Sequence, residues 1–309
     1  MPTLSEVPGS VLIRHGDTVV TQTTAPNCTP GTRFQLASVS KQFTAAAVLL
    51  LAQRGALALG DRIGRWFGAA PPHWHDITLH QLLTHTSGLG HWHDHPMIDL
   101  ARRVEPDDLV RTFQQVPPLS APAERWYYSS PGYVLLAQVV ERVADRPYRD
   151  VLAEQIFAPS GMGDTFAGSP GDRDDIAPGH GPDGAPVPSW DLDVVGMGAG
   201  DVWSTTADMV TWLDVLRAGR LLAEPYRTLM VTERVPTGGR PMARGYGYGW
   251  FVGTLAGEPL FHHDGGNAGF VSFVGCLPGA DRRIVMLSNV ETSDPAVIHT
   301  LLASARDHG

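Results

Sequence analysis

The sequence contains few cysteines and no long apolar run. Its 309 residues include only two cysteines, Cys28 and Cys276, which allow at most one disulfide and lack the spacing of a metal site. A chain of this length forms a hydrophobic core without such a cross-link, so we expect two thiols that have no functional role. The longest apolar stretch, residues 45–52, is far too short to span a bilayer.

The first ten residues, MPTLSEVPGS, lack the features of a secretion signal. They contain neither a basic start nor an apolar segment, so the sequence as given predicts a cytoplasmic protein. The formal net charge of −9 argues against nucleic acid and anionic membranes as partners. An acidic balance of this size mostly serves solubility and says little about the substrate, and the oligomeric state is left open.

Local patterns place strands at both ends of the chain and helices in the middle. Two strands joined at His15-Gly16-Asp17 are predicted over residues 11–21. Further β-rich runs lie at residues 248–252, 260–263, 270–277 and 283–287. Helical patterns lie at residues 38–56, 79–83, 131–143, 149–157, 207–218 and 294–305.

Strands at both ends most simply share one sheet, which predicts an α+β fold in a single domain over residues 1–309. In this arrangement an antiparallel sheet flanked by helices is formed by residues of about 1–60 and 230–309. An all-helical part, residues of about 61–229, is inserted beside the sheet, and the active site lies between the two parts.

Ser38 and Lys41 form an S-x-x-K sequence at the start of a predicted helix. Residues three apart share one helix face, so the Lys41 amine can reach the Ser38 hydroxyl. Burial would lower the pKa of Lys41 and let it accept a proton near neutral pH. The helix start also offers free N–H groups to an oxyanion. By itself S-x-x-K is a weak signal, because a serine N-cap followed by a surface lysine gives the same pattern.

Five further segments, in a fixed order, make the pattern specific. The six are RFQLASVSKQFTA (33–45), ITLHQLLTHTSGL (77–89), WYYSSPGY (126–133), FAPSGMGDT (157–165), GAGDVWST (198–205) and HHDGG (262–266). Together they resemble the serine β-lactamase and penicillin-binding-protein family, in the branch of class C β-lactamases, DD-peptidases and family VIII esterases. The resemblance covers most of the chain and implies a β-lactamase-like fold.

The resemblance also implies a role for each matching residue. Ser38 is the nucleophile, and Lys41 shares the general-base work with Tyr128, which acts as a phenolate beside the lysine cation. His263 occupies the place of the family's third basic group, where it polarises Tyr128 or holds the leaving group. The N–H groups of Ser38 and Gly266 form the oxyanion hole.

Substrate binding is assigned by the same resemblance to Ser130, Asp264 and Gly265. Ser130 stands where the family usually has Asn, so a shorter hydroxyl replaces an amide that orients the lysine and the substrate. Asp264 stands where Thr often helps to bind a carboxylate, and an acid there would repel one. Both differences favour a generic ester or amide over a β-lactam.

We therefore expect a serine hydrolase that acts through a covalent acyl-enzyme on a small ester or amide. DD-peptidase or D-aminopeptidase activity, acyl transfer or thioester cleavage on the same fold, and a catalytically silent binding module remain as alternatives. No cofactor is expected. Seven histidines lie between His73 and His95, but two of them fall in family-like segments that bind no metal, so no metal site is predicted.

Overall fold

Strands from both ends of the chain pair in one antiparallel sheet, as the sequence predicts. The computed structural model describes residues 7–68, 70–291 and 301–302 of the 309. Its strands are β1 (Gly9–His15), β2 (Thr18–Thr24), β3 (Phe34–Gln35), β4 (Phe166–Ala167), β5 (Val202–Ser204), β6 (Val235–Pro236), β7 (Gly245–Tyr246), β8 (Phe251–Leu255), β9 (Glu258–Asn267), β10 (Phe270–Leu277) and β11 (Arg282–Ser288). The large sheet has the order β2-β1-β11-β10-β9-β8-β7-β6, and β3, β5 and β4 form a small second sheet.

The described helices lie between β2 and β6. They are α1 (Lys41–Gln53), α2 (Leu79–Leu83), α3 (Pro106–Gln115), α4 (Ser130–Ala144), α5 (Tyr148–Leu152), α6 (Ala158–Ser160), α7 (Thr206–Arg217) and α8 (Tyr226–Val231). Short 3₁₀ turns lie at Ala37–Ser40, Ile63–Arg65, Pro72–Trp74 and Trp92–Asp94, and a π-helical turn at Ala153–Phe157. No helix in this part of the chain is both long and apolar enough to cross a membrane.

Most of the predicted helices are present, but α3, α6 and α8 were not predicted. α3 begins with Pro106 followed by two acidic residues, a helix-start signal that apolar spacing alone does not show. The predicted tail helix, residues 294–305, lies outside the described residues except for Leu301 and Leu302.

The two faces of the large sheet pack against separate apolar clusters. Side chains alternate along each strand, so Val274 and Val285 face the main core while Phe273 faces a second cluster with Leu301 and Leu302. α1 lies inside the main core and is buried over residues 41–52. The start of α1, and with it the S-x-x-K sequence, is therefore fixed by packing on all sides.

β9 runs beside the start of α1 at a glycine. A Cβ atom on Gly265 would lie 2.4 Å from the Leu36 carbonyl oxygen, 2.5 Å from the Ser272 hydroxyl and 3.0 Å from the Ser38 amide nitrogen. A residue without a side chain lets the strand approach the Ser38 turn this closely. Gly265 therefore packs β9 against the nucleophile's backbone, and its expected part in substrate binding stays a prediction.

We expect Gly265→Ala to lower the free energy of unfolding by about 1–3 kcal/mol, the usual cost of overpacking. Gly266→Ala is the matched control, because a Cβ atom at Gly266 has nothing within 4 Å. Urea denaturation followed by circular dichroism measures both variants. Equal stabilities would contradict a close approach of β9 at Gly265.

Candidate active site

The predicted nucleophile lies on a strained turn just before α1. Ala37, directly before Ser38, has a φ of +47°, and such a left-handed conformation costs a residue with a Cβ atom about 1–3 kcal/mol. The 3₁₀ turn Ala37–Ser40 leads into α1, so the helix begins at Lys41 and not at Ser38 as predicted. The Ser272 hydroxyl donates to the Leu36 carbonyl at 2.7 Å and ties the turn to β10.

Lys41 is the only lysine in the 309 residues, and its side chain is fully buried. Its Nζ lies 3.0 Å from Ser38 Oγ, 3.1 Å from Ser130 Oγ and 2.7 Å from Ala199 O. A neutral amine has two N–H groups and one lone pair. It can therefore donate to Ser130 and Ala199 while its lone pair accepts the proton of Ser38.

The surroundings of Lys41 favour this neutral form. Burial lowers the pKa of Lys41 to about 7, because the ammonium loses its hydration, although the carboxylates of Asp201 and Asp264 act to raise it. A large fraction of the amine is then free base at neutral pH. The pKa shift has the direction that the sequence analysis expects.

Tyr128 does not have the phenolate character expected from the sequence. Burial raises its pKa well above that of an ordinary phenol, although the nearby Ser38 hydroxyl opposes the shift. Lys41 Nζ lies over the Tyr128 ring, 5.0 Å from its centroid, and loses its own proton near pH 7. It therefore does not supply the permanent cation that a phenolate needs. Tyr128 is therefore expected as a neutral phenol, which leaves Lys41 as the candidate base.

His263 is also neutral, which corrects its expected role as a third basic group. Burial lowers its pKa to about 3. Its Nδ1 lies 2.6 Å from the Asp264 carbonyl oxygen, and its Nε2 lies 3.0 Å from the Tyr246 hydroxyl. Both ring nitrogens are engaged and the ring lies 6.1 Å from that of Tyr128, so His263 belongs to the aromatic cluster and supplies no cation near pH 7.

The predicted oxyanion-hole residues lie on adjoining backbone segments. β9 passes the Ser38 amide nitrogen at Gly265, and the next residue, Gly266, lines the same cleft as Ser38. Two N–H groups placed side by side in this way are the usual donors to a tetrahedral oxyanion. The assignment of Ser38 N–H and Gly266 N–H therefore stays as predicted.

Ser130, the first residue of α4, accepts a hydrogen bond from Lys41 at 3.1 Å. It lines the cleft together with Ser38. The Ser130 hydroxyl thus orients the lysine, as the side chain of an Asn at this position would. The replacement of Asn by Ser therefore does not cost the Lys41 amine a hydrogen-bond partner.

Asp264 is paired with an arginine that the sequence analysis did not connect to the site. Arg240 Nη2 donates to both carboxylate oxygens at 2.8 Å, and its guanidinium lies over the Phe251 ring at 4.2 Å. Burial acts most strongly on Asp264 and raises its pKa, but the charge and hydrogen bonds of Arg240 together with the nearby His263 and His262 keep the pKa below its usual value. The expectation of a free acid that repels carboxylates is therefore wrong, because its charge is compensated.

The Ser38 hydroxyl opens into a narrow cleft of about 40 Å³. Trp92 and Trp190 line this cleft together with the polar side chains of Ser130 and Asn267. Mostly apolar walls with a few polar groups are typical of small-molecule sites.

Two further residues of the cleft were not recognised from the sequence as part of it. Asn267 donates from Nδ2 to Gln35 Oε1 at 2.6 Å and to Gly200 O at 3.1 Å. It follows Gly265 by two positions on β9, and the strand period alone indicates that both face the same side. His91 Nδ1 accepts the N–H of Ser130 at 3.2 Å, a contact across 39 residues that no local pattern shows.

The histidines between residues 73 and 95 take part in ordinary packing and hydrogen bonds. His85 Nδ1 accepts the N–H of Ser129 at 3.1 Å, and its ring lies 4.4 Å from that of Tyr128. His93 Nε2 lies 2.8 Å from the Tyr127 hydroxyl. Within residues 7–68, 70–291 and 301–302, no group of three or more His, Cys, Asp or Glu side chains is arranged to hold a metal ion.

Comparison with known proteins links this geometry to one family. The family model described as "Beta-lactamase" matches residues 4–306. Esterase EstB of Burkholderia gladioli is 34% identical over 173 residues, which cover 50% of this chain and 44% of that protein. Penicillin-binding protein 4 of Amycolatopsis lactamdurans is 28% identical over 284 residues, 83% of this chain and 72% of that protein. The chain spans 35% and 44% of the length of the first two curated relatives.

Solved structures have the same fold over nearly the whole chain. A penicillin-binding protein from Bacillus halodurans has a TM-score of 0.84 at 25% identity, with 96% of this chain and 97% of that chain covered. D-amino acid amidase from Ochrobactrum anthropi SV3 has a TM-score of 0.85 at 24% identity and coverages of 98% and 94%. The β-lactamase-like fold implied by the sequence is confirmed.

We expect Lys41→Arg to slow the labelling of Ser38 by a fluorophosphonate probe by about 10²–10⁴, the usual worth of a positioned base. Arginine stays charged and accepts no proton. Time-resolved intact mass at pH 7.5 measures the rate. Lys41→Met gives the same test if arginine does not fit the buried site, and circular dichroism verifies folding.

Tyr128→Phe is the control for this experiment, since it removes a hydroxyl that is already neutral. It should leave the pH midpoint of labelling in place. Wild-type labelling rates in both Lys41 variants would show that Lys41 is not the base.

Proposed function

Because the chain belongs to the β-lactamase family, we propose that it is a serine hydrolase that cleaves a small ester or amide through an acyl group held on Ser38. The observation that carries the proposal is the 3.0 Å contact between Ser38 Oγ and the Nζ of Lys41, a buried amine whose pKa lies near 7. A serine beside a neutral amine is an activated nucleophile.

The first chemical step forms the acyl-enzyme. Lys41 takes the proton of Ser38 as the serine oxygen attacks the acyl carbon. The resulting oxyanion lies against the N–H groups of Ser38 and Gly266. As the tetrahedral intermediate collapses, Lys41 returns the proton to the leaving oxygen or nitrogen.

A water molecule completes the reaction in the second step. Lys41 is again a free base after the leaving group has departed, so it can take a proton from water while the hydroxide attacks the acyl carbon. The bond to Ser38 Oγ then breaks, and Lys41 returns the proton to the serine. The proposal therefore needs no cofactor or metal ion.

The lining of the cleft favours an acyl group that is uncharged and partly apolar. Trp92 and Trp190 offer apolar walls, and the charge of Asp264 is compensated by Arg240. EstB is called an esterase, and its similarity favours an ester as the first substrate to try. DD-peptidase, D-aminopeptidase and acyl-transfer activities, with the same acyl-enzyme, are the alternatives.

A small molecule remains the proposed partner, with no role for nucleic acid or membranes, in line with the net charge of −9. Action in the cytoplasm remains a proposal as well. Fractionation of the producing cell, with detection of the full-length chain, tests it.

We expect p-nitrophenyl acetate to leave an acetyl group on the wild-type protein, seen by intact mass after an acid quench. Ser38→Ala should show no adduct. An adduct that survives Ser38→Ala, or no adduct on wild type, would contradict the hydrolase and favour a silent binding module on the same fold.

The substrate class is tested with a panel of p-nitrophenyl esters, D-amino acid p-nitroanilides and a chromogenic cephalosporin. We expect the esters to have the highest kcat/KM. Faster turnover of the D-anilides would move the assignment to an amidase or peptidase.

A further inference from the structure

A buried acid, Asp201, lies on the turn that provides the carbonyl acceptor of Lys41. Ala199 and Gly200 of this turn line the Ser38 cleft. Asp201 is 1% exposed and lines a separate cleft of about 340 Å³. It therefore lies close to Lys41 without being part of the wall that a substrate at Ser38 would touch.

The carboxylate of Asp201 holds the turn in shape. Its Oδ1 accepts the N–H of Gly198 at 3.0 Å. Gly198 has a φ of +73°, and a Cβ atom there would lie 2.5 Å from Ala137 Cβ, so the turn is pressed against α4. Ala199, one of the two residues between them, accepts the hydrogen bond from Lys41 Nζ at 2.7 Å. Asp201 thus holds in place the backbone turn whose Ala199 carbonyl positions the Lys41 amine.

Among the described acids near Lys41, Asp201 is the one that is not paired with an arginine. The titratable groups that face Lys41 are Asp201, Asp264, His85, His91, His263, Tyr128 and Tyr133. Burial lowers the pKa values of the three histidines and raises those of the two tyrosines, so these five groups are neutral near pH 7. Asp264 is paired with Arg240. Among the described residues, Asp201 has no such arginine partner.

Lys41 is the counter-charge that remains for Asp201, whose other titratable neighbours are Asp193 and Tyr148. Burial raises the pKa of Asp201 to about 7, and Lys41 opposes this shift. A buried acid and a buried base that titrate in the same pH range are coupled, so their protonation steps belong to the pair.

We propose that Asp201 is a positioning residue for Lys41: it holds the 198–201 turn through the Gly198 N–H, so that the Ala199 carbonyl can accept from the amine, and its carboxylate is the acidic counterpart of that amine. The proposal rests on the hydrolase function, since it concerns the base of that reaction. Removal of the negative charge disfavours the ammonium, so Lys41 should lose its proton at lower pH.

The single lysine makes a direct test possible. Protein labelled with [ε-¹³C]lysine has one side-chain resonance from 309 residues, and its chemical shift reports the protonation of Lys41. In Asp201→Asn the amide oxygen can still accept the Gly198 N–H, but the charge is gone. We expect the titration midpoint to fall by about one pH unit relative to wild type.

Asp208→Asn is the matched control. Asp208 is a buried acid near the same segment that accepts from Thr165 Oγ1 and Asp164 N–H, and it does not act on Lys41. The Lys41 titration midpoint in Asp208→Asn should equal that of wild type. Equal midpoints in Asp201→Asn and wild type would overturn the proposal. If Asp201→Asn does not fold, Asp201→Ser, which is smaller and uncharged, replaces it.

The acylation rate provides the second readout. The acid limb of acylation by p-nitrophenyl acetate should move to lower pH in Asp201→Asn while the plateau rate is retained. Asp201→Ala, which leaves the Gly198 N–H without its acceptor, should lower the plateau at least tenfold with an unchanged KM. A plateau equal to wild type in Asp201→Ala would contradict the positioning role.

The nuclear magnetic resonance titration requires no turnover. If wild-type protein forms no adduct on Ser38 but the Lys41 midpoint still depends on Asp201, the hydrolase function is contradicted and the Asp201–Lys41 coupling is supported. If the adduct forms normally but the Lys41 midpoint is the same in Asp201→Asn and wild type, the hydrolase function is supported and the coupling is contradicted.

Discussion

The burial of the Lys41 amine is the constraint on which the site depends. A charged amine with no exposure to water is strongly disfavoured, whereas a neutral amine with three oxygen partners is accommodated in the core. The same burial that removes the charge turns the lysine into a base beside Ser38. It also keeps Tyr128 and His263 neutral, so the proton chemistry is concentrated on one side chain.

Backbone packing sets the geometry around this amine. Ala37 is held in a left-handed conformation directly before the nucleophile, and Gly265 lets β9 lie against the Ser38 amide. These contacts come from opposite ends of the chain and meet only because β9 and α1 share one core. The walls of the cleft, such as Trp92 and Trp190, lie on separate loops, so the acyl group can be selected without a change to the nucleophile and its base.

The sequence predicts the parts of the site that lie in short, ordered segments. Ser38, Lys41 and Tyr128 could be placed in this way, and strand alternation places Asn267 beside Gly265 once β9 is known. The neutral state of His263 could not be predicted, because it follows from burial that only tertiary packing creates. Arg240 could not be connected to Asp264, since the contact spans 24 residues and depends on the path of a loop. The role of Ser130 likewise could not be predicted, because the sequence shows only that a hydroxyl replaces the usual amide. The distance to Lys41 is needed to show that this hydroxyl still accepts a hydrogen bond from the amine.

The central claim is that a neutral, buried Lys41 takes the proton of Ser38. The most direct measurement is the acylation rate constant of Ser38 with p-nitrophenyl acetate, followed by stopped flow as a function of pH. The account predicts a rate that rises with pH through a single midpoint near 7, where Lys41 loses its proton. A rate that is constant from well below to well above this midpoint, or that falls through it, would contradict a free-base lysine as the proton acceptor.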